Sequence, residues 1–145
     1  VRLLQELAIQ HNVPDIFQDN GGKLLQLSLV TGLRLLSSRE GNDAEDENGM
    51  QYEIKTVNVK NRKNAQFTTH HHLNPTIIDK YRKVNWLFAI YNGIELVEIY
   101  CLKPEEMEFW FSKWETKWNE DEKDINNPKI PIDYVIKNGI KTILS

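Results

Sequence analysis

Apolar positions recur at helical spacing in two stretches near the start of the chain. Leu3, Leu4 and Leu7 fall within residues 2–11, and Leu24, Leu25, Leu27, Leu29 and Val30 run up to Gly32. Both patterns predict amphipathic helices, with a restart at Pro14-Asp15 between them. Gly21-Gly22 weakens the second helix near its start and points to close approach of another backbone there. A polar, acidic, turn-rich stretch follows, SREGNDAEDENGM (38–50), in which Asn48-Gly49 is a hairpin signal. QYEIKTVNV (51–59) reads as a strand and Gln66–Leu73 as a second, more polar one. Asn74 then caps a helix with Pro75 at its first position, running through Ile77, Ile78 and Tyr81. WLFAIY (86–91) reads as a buried strand that Asn92-Gly93 turns into IELVEIYCL (94–102). Pro104 opens a helix bearing Met107, Phe109, Trp110, Phe111 and Trp114. DINNPKIP (124–131) reads as a loop, followed by a helix over 132–138 that ends at Gly139 and a last strand over 140–144. Helices and strands mix without regular βαβ alternation, so the expected class is α+β, or an irregular α/β arrangement, around a mixed central sheet.

The length of 145 residues fits one domain, and 40% apolar residues supply a core. No run of 18 or more apolar residues occurs, so no membrane span and no membrane partner are expected. The opening VRLLQELAIQ lacks the basic and long apolar regions of a secretory leader. Cys101 is the single cysteine. An internal disulfide is therefore ruled out, a reducing cytoplasm fits, and a buried, inert thiol is the expected state. The net charge of −3 does not by itself point to nucleic acid. The acids, however, gather in 40–53 and 105–124, while 55–63 reads KTVNVKNRK. A basic strip beside an acidic cluster suits a site that holds both phosphate and a metal ion.

Glu53 and Lys55 are two apart on the first expected strand, so both project from one face. Asp43 lies upstream of the Asn48-Gly49 turn, and a hairpin there folds it back beside Glu53. Two converging carboxylates offer hard oxygen ligands to Mg²⁺, which keeps several waters for substrate phosphate. Lys55 on the same face is placed to hold an attacking water and offset charge on a scissile phosphate. Glu115/Lys117 and Asp121/Lys123 repeat the spacing on a helix and in a polar stretch, where solvated surface charge explains them. An exposed strand face with a modest ion pair remains the plain alternative for Glu53/Lys55.

TTHHHLN (68–74) admits three readings. On a strand His70 and His72 share a face and could ligate zinc, although no further ligand accompanies them. The histidines could be purely structural, or their imidazole N–H groups could donate to guanine N7 and O6 in the major groove. DINNP offers two adjacent side-chain amides that suit two-point pairing with adenine, and it is also an ordinary turn sequence.

The stretches DIFQDNGGKLLQ (15–26), REGNDA (39–44), YEIK (52–55), THHHLNP (69–75), KYRKVNWLFAIY (80–91) and KDINNPKIP (123–131) resemble the PvuII-type type II restriction endonucleases of the PD-(D/E)xK nuclease superfamily. The likeness runs in register over nearly the whole chain, with a length difference around Lys60–Ala65. It implies the restriction-endonuclease-like fold and a Mg²⁺-dependent homodimer. Such a dimer grips double-stranded DNA at a palindrome, CAGCTG, and makes a central blunt cut. By position, Asp43 and Glu53 match the metal-binding acids, Lys55 the catalytic lysine and Tyr81 a tyrosine near the scissile phosphate. Thr69, His70, His71 and His72 fall on the DNA-recognition strand, and Asn126 and Asn127 match the base-reading asparagines. Asp19 matches an acid near the minor groove and the dimer interface.

The same likeness divides the single domain into a helical dimerisation part (about 1–36), a catalytic sheet (about 37–59), and a recognition strand and loop (about 66–74 and 123–131). It also implies a bacterial cytoplasmic setting and a cognate methyltransferase that forms no stable complex with the enzyme. The leading Pro of the superfamily signature is absent, with Asn42 before Asp43 as in the PvuII-type enzymes, and two departures from those enzymes stand out. KNRKNA (60–65) is longer and more basic than the matching loop. Set against that family, the N-terminal segment that helps subunits associate is expected to be shorter. Rival readings are a repair or junction nuclease of the same superfamily, and a DNA-binding protein without catalysis.

Overall fold

The structure is a computed structural model and describes residues 21–36 and 43–142. By its internal contacts the chain divides into two compact units between Glu53 and Ile54, within a single strand.

The first unit holds helix α1 (Gly21–Thr31), strands β1 (Arg34–Leu35) and β2 (Ala44–Glu45), and the start of β3 (Gln51–Asn58). Leu25, Leu27 and Ser28 are buried on α1, while Leu29 and Val30 face solvent, so only one stripe of the apolar run meets a core. The helix stops where the sequence changes character. Thr31 Oγ1 donates back to Leu27 O at 2.6 Å, and Gly32 takes a left-handed φ of 75° while its N–H donates to Ser28 O at 2.9 Å. β1 and β2 are antiparallel, with Arg34 of one strand ion-paired to Glu45 of the other, and β2 is antiparallel to β3.

The second unit contains β3 from Ile54 onward, β4 (Gln66–Phe67), α2 (Pro75–Tyr81), β5 (Asn85–Asn92) and β6 (Glu95–Leu102). It continues with α3 (Pro104–Asp121), β7 (Ile130–Pro131), α4 (Ile132–Asn138) and β8 (Ile140–Thr142). Six strands form one mixed sheet in the order β1-β2-β3-β5-β6-β8, and β4 pairs with β7 separately. The class is α+β, as the mixture of helical and strand periodicities predicts.

β5 is the spine of the second unit. Trp86 through Tyr91 are all buried, and period-2 alternation divides them, with Trp86, Phe88 and Ile90 joining the main apolar cluster. Phe67 meets Phe88 edge-on at 4.8 Å, and Tyr81 meets Trp86 edge-on at 4.7 Å. Met107, Phe111 and Trp114 follow at helical spacing on the buried face of α3. Each such side chain contributes roughly 1.5–3 kcal/mol by burial. Helix ends follow the sequence signals: Asn74 Oδ1 accepts from Ile77 N–H at 3.0 Å, and Pro75 and Pro104 open α2 and α3. Gly139 closes α4 for reasons of space, since a Cβ there would lie 2.6 Å from Leu102 Cδ1.

Three expectations change. The strand expected over Gln66–Leu73 is a strand only at Gln66–Phe67; beyond it the backbone turns, and His71 and His72 lie in a turn. Part of the expected loop 124–131 is paired, as β7. Cys101 is half-buried rather than buried, and burial raises its thiol pKa, which keeps it protonated and unreactive at neutral pH. Among the described residues no helix is long and apolar enough to cross a membrane.

Candidate functional site

In the first unit a short hairpin joins β2 to β3. The carboxylate of Asp46 organises its turn: Oδ1 accepts the N–H groups of Asn48 and Met50 at 2.9 and 3.0 Å. Gly49 supplies the left-handed φ of 81°, and its N–H donates to Asp46 O at 3.0 Å. The ladder above this turn pairs Ala44 with Tyr52 and Glu45 with Gln51. Asp43 N–H also donates to Tyr52 O, at 3.0 Å, so Asp43 and Ala44 both address Tyr52. Two residues against one is the signature of a β-bulge, which breaks simple alternation and re-aims a side chain. Asp43 is thereby tied to the peptide that links Tyr52 to Glu53. Both carboxylates are half-buried. Asp46 is the residue that sequence reasoning passed over; an Asp two residues ahead of Asn48-Gly49 was the available signal.

Lys55 follows Glu53 by two residues on β3, a spacing that directs alternate side chains to one face of a strand. In the second unit its Nζ lies over the Tyr81 ring at 5.7 Å and the Trp86 ring at 5.9 Å. Two aromatic faces attract an ammonium and limit where it can swing. Tyr81 itself is buried, with Trp86 Nε1 donating to its carbonyl at 3.2 Å. No sequence signal linked Trp86 to Lys55, because the pair is 31 positions apart on different strands.

The histidine and asparagine segments are joined directly. Gln66 pairs with Pro131 and Phe67 with Ile130. Thr69 N–H donates to Asn127 Oδ1 at 2.9 Å, and Thr69 Oγ1 donates to Pro128 O at 2.7 Å. Asn127 N–H donates to His70 O at 2.8 Å, and Leu73 and Ile125 exchange backbone bonds at 3.0 and 2.9 Å. Asn127 sits at a left-handed φ of 52°, which explains why the ladder cannot continue as regular strand. The amide oxygen of Asn127 thus already serves Thr69, whereas Asn126 is exposed.

Within the turn, His70 Nδ1 accepts from His72 N–H at 2.9 Å. That bond places the neutral proton on Nε2, which remains an N–H donor. Burial lowers the His70 pKa below its ordinary 6.5, helped by the positive charge of Lys55 and by its two histidine neighbours, against a weaker opposing pull from Asp124. His71 is exposed, and His72 Nδ1 stands 4.0 Å from Asp124. The arrangement of His70 and His72 on one strand face does not occur, because the segment is a turn. Among the described residues no group of three or more His, Cys, Asp or Glu side chains is placed to hold a metal ion. Asp19, the helix expected over residues 2–11 and the stretch 37–42 lie outside the described residues.

The structure thus presents a bulged carboxylate hairpin, a lysine over two aromatic rings, and a turn-and-ladder element lined with histidine and asparagine. The family model of restriction endonuclease PvuII matches residues 1–143, a span that includes every described element. Type II restriction endonucleases act on double-stranded DNA and generally use divalent metal ions. The chain belongs to the PvuII restriction endonuclease family, and it is a type II, site-specific deoxyribonuclease that hydrolyses phosphodiester bonds.

Proposed function

We propose that the enzyme is a Mg²⁺-dependent homodimer that cuts both strands of the palindrome CAGCTG at its centre, leaving blunt ends. The observation that carries the chemical part is the bulged hairpin that ties Asp43 to the Tyr52–Glu53 peptide, with Lys55 two residues on. A pair of carboxylates fits Mg²⁺, which binds through one or two carboxylates and fills its other positions with water and phosphate. They fit a four-ligand zinc centre poorly.

Asp43 and Glu53 would hold the ion. When bound, it supplies Lewis acidity that lowers the pKa of water and offsets charge on the phosphoryl oxygens. Lys55 donates hydrogen bonds to the attacking water and to the phosphate, and the Tyr81 and Trp86 rings keep its ammonium from swinging away. Tyr81 offers its hydroxyl toward the scissile phosphate. The oxygen of water bonds to phosphorus as the P–O3′ bond breaks in line; the water gives up one proton to bulk solvent and O3′ takes one from it, so the products are a 5′-phosphate and a 3′-hydroxyl.

Sequence reading falls to the histidine–asparagine element. His70 presents Nε2–H to an acceptor, His71 and His72 are exposed beside it, and Asn126 offers a side-chain amide. Thr69 and Asn127 hold these groups through their mutual bond, and Asn127 retains its Nδ2 donors for a base edge. Asp19 is assigned to the minor-groove side and the dimer interface. A palindrome read by identical subunits implies a two-fold dimer, with one reaction centre for each strand. The setting is a bacterial cytoplasm, where a cognate methyltransferase protects host sites without forming a stable complex with the enzyme.

The test is digestion of supercoiled plasmid with Mg²⁺, followed by sequencing of the ends. Blunt cuts at CAGCTG are expected. Cuts at another sequence, staggered ends or uniform nicking would overturn the site assignment.

A further inference from the structure

We propose that the Lys60–Asn64 loop forms a docking site for DNA backbone phosphates outside the bases that the enzyme reads. The identity of the ligand rests on the endonuclease reading above. β3 ends at Asn58, whose Oδ1 accepts both Lys60 N–H at 3.0 Å and Gly93 N–H at 2.9 Å. Asn61 turns the chain at a left-handed φ of 60°, and Arg62 N–H closes the turn on Val59 O at 3.1 Å. Arg62 and Lys63 are exposed, and among the described residues neither has a carboxylate partner. They line a cavity of about 390 Å³ with Asn64, Gln66 and Pro131, in which Asp133 is the one acid. Two cations and two side-chain amides against one carboxylate favour an anionic guest.

The position of the cavity selects the guest. Gln66 and Pro131 are the first paired residues of the same ladder that bears His70 and Asn127. Four extended residues separate Gln66 from His70 by at most about 13 Å. Successive phosphates of one strand are about 3.4 Å apart along the helix axis, so a duplex read at His70 brings backbone phosphates a few base pairs away within reach of this cavity. Such contacts position the duplex and carry no sequence information. Cleavage efficiency would therefore depend on flanking length while the cut sequence stays the same.

The experiment is binding of the full chain to a labelled duplex with Ca²⁺ in place of Mg²⁺, over a range of salt concentrations. In one duplex the site carries about ten flanking base pairs on each side; in the other it is trimmed to the site itself. Arg62→Gln/Lys63→Gln removes two cations from each subunit of the dimer and is expected to lower the slope of log K against log salt by about 2–4 on the long duplex and to leave the trimmed one unchanged. Asp133→Asn, which removes the opposing charge, is expected to tighten binding to the long duplex only, and it decides the matter if the double variant does not fold. Unchanged affinity and slope on the long duplex, or equal losses on both duplexes, would overturn the proposal. Wild-type protein that binds but does not cut with Mg²⁺ counts against the endonuclease reading and leaves the slope result to be judged by itself.

Discussion

The N–H of Asp43 donates to the carbonyl of Tyr52 at 3.0 Å, one step out of the register set by Ala44 and Tyr52. The bulge fixes an acidic residue against the peptide that leads into Glu53. Its geometry depends on the turn below, where Asp46 accepts two backbone N–H groups.

Asp46→Ala leaves those two N–H groups to solvent and loosens the register. A stability loss of about 1 kcal/mol is expected. The larger effect falls on the reaction, since a misplacement of about 1 Å costs on the order of 10²-fold in rate. Thermal unfolding with single-turnover cleavage checks both. An unchanged cleavage rate would show that the hairpin does not set the site.

His70 is expected to titrate below 6.5, because burial and the Lys55 charge both disfavour its protonated form. The unfolded chain then binds the proton first. The contribution of His70 to stability is therefore full above 6.5 and declines as pH falls from there towards the folded pKa. Imidazole NMR titration reads the value directly. Lys55→Met removes a lowering charge and should move the midpoint upward; a midpoint above 6.5 in the wild type contradicts the structure.

Arg82 joins α2 to α3, with bonds to Glu108 at 3.0 Å and to Glu115 at 2.8 Å. Arg82→Met should cost about 1 kcal/mol, a modest figure because both acids are partly exposed and screened. The Arg82 guanidinium holds Glu108 below its ordinary 4.5, so this support is full above that value and is lost as the pH falls below it. Denaturant unfolding of both proteins at neutral and acid pH checks this. The gap between them should shrink in acid, and a constant gap would contradict the assignment.

The features legible in the sequence were those fixed by neighbouring residues. Asn74-Pro75 started α2, Pro104 started α3, and the buried run 86–91 with Asn92-Gly93 gave the β5–β6 hairpin. The Glu53/Lys55 spacing and the hairpin below it were local too. The misreading at Gln66–Leu73 has a long-range cause. Its partner is residues 125–131, and the left-handed Asn127 bends that partner so that Thr69 pairs with a side chain instead of a strand. A polar strand and a polar turn look alike when the element across from them is 58 positions away. The aromatic bed of Lys55 was hidden for the same reason.

In the proposed reading, Asp43, Glu53 and Lys55 perform the chemistry and the histidine–asparagine element reads the sequence. The most direct measurement compares single-turnover cleavage of a CAGCTG duplex by the wild type, Glu53→Gln and Lys55→Met, with binding measured in Ca²⁺. Both variants should lose at least about 10²-fold in cleavage rate. Lys55→Met should still bind the specific duplex in preference to a scrambled one. Near-wild-type cleavage by either variant, or loss of sequence preference in Lys55→Met without change in rate, would contradict this division of roles.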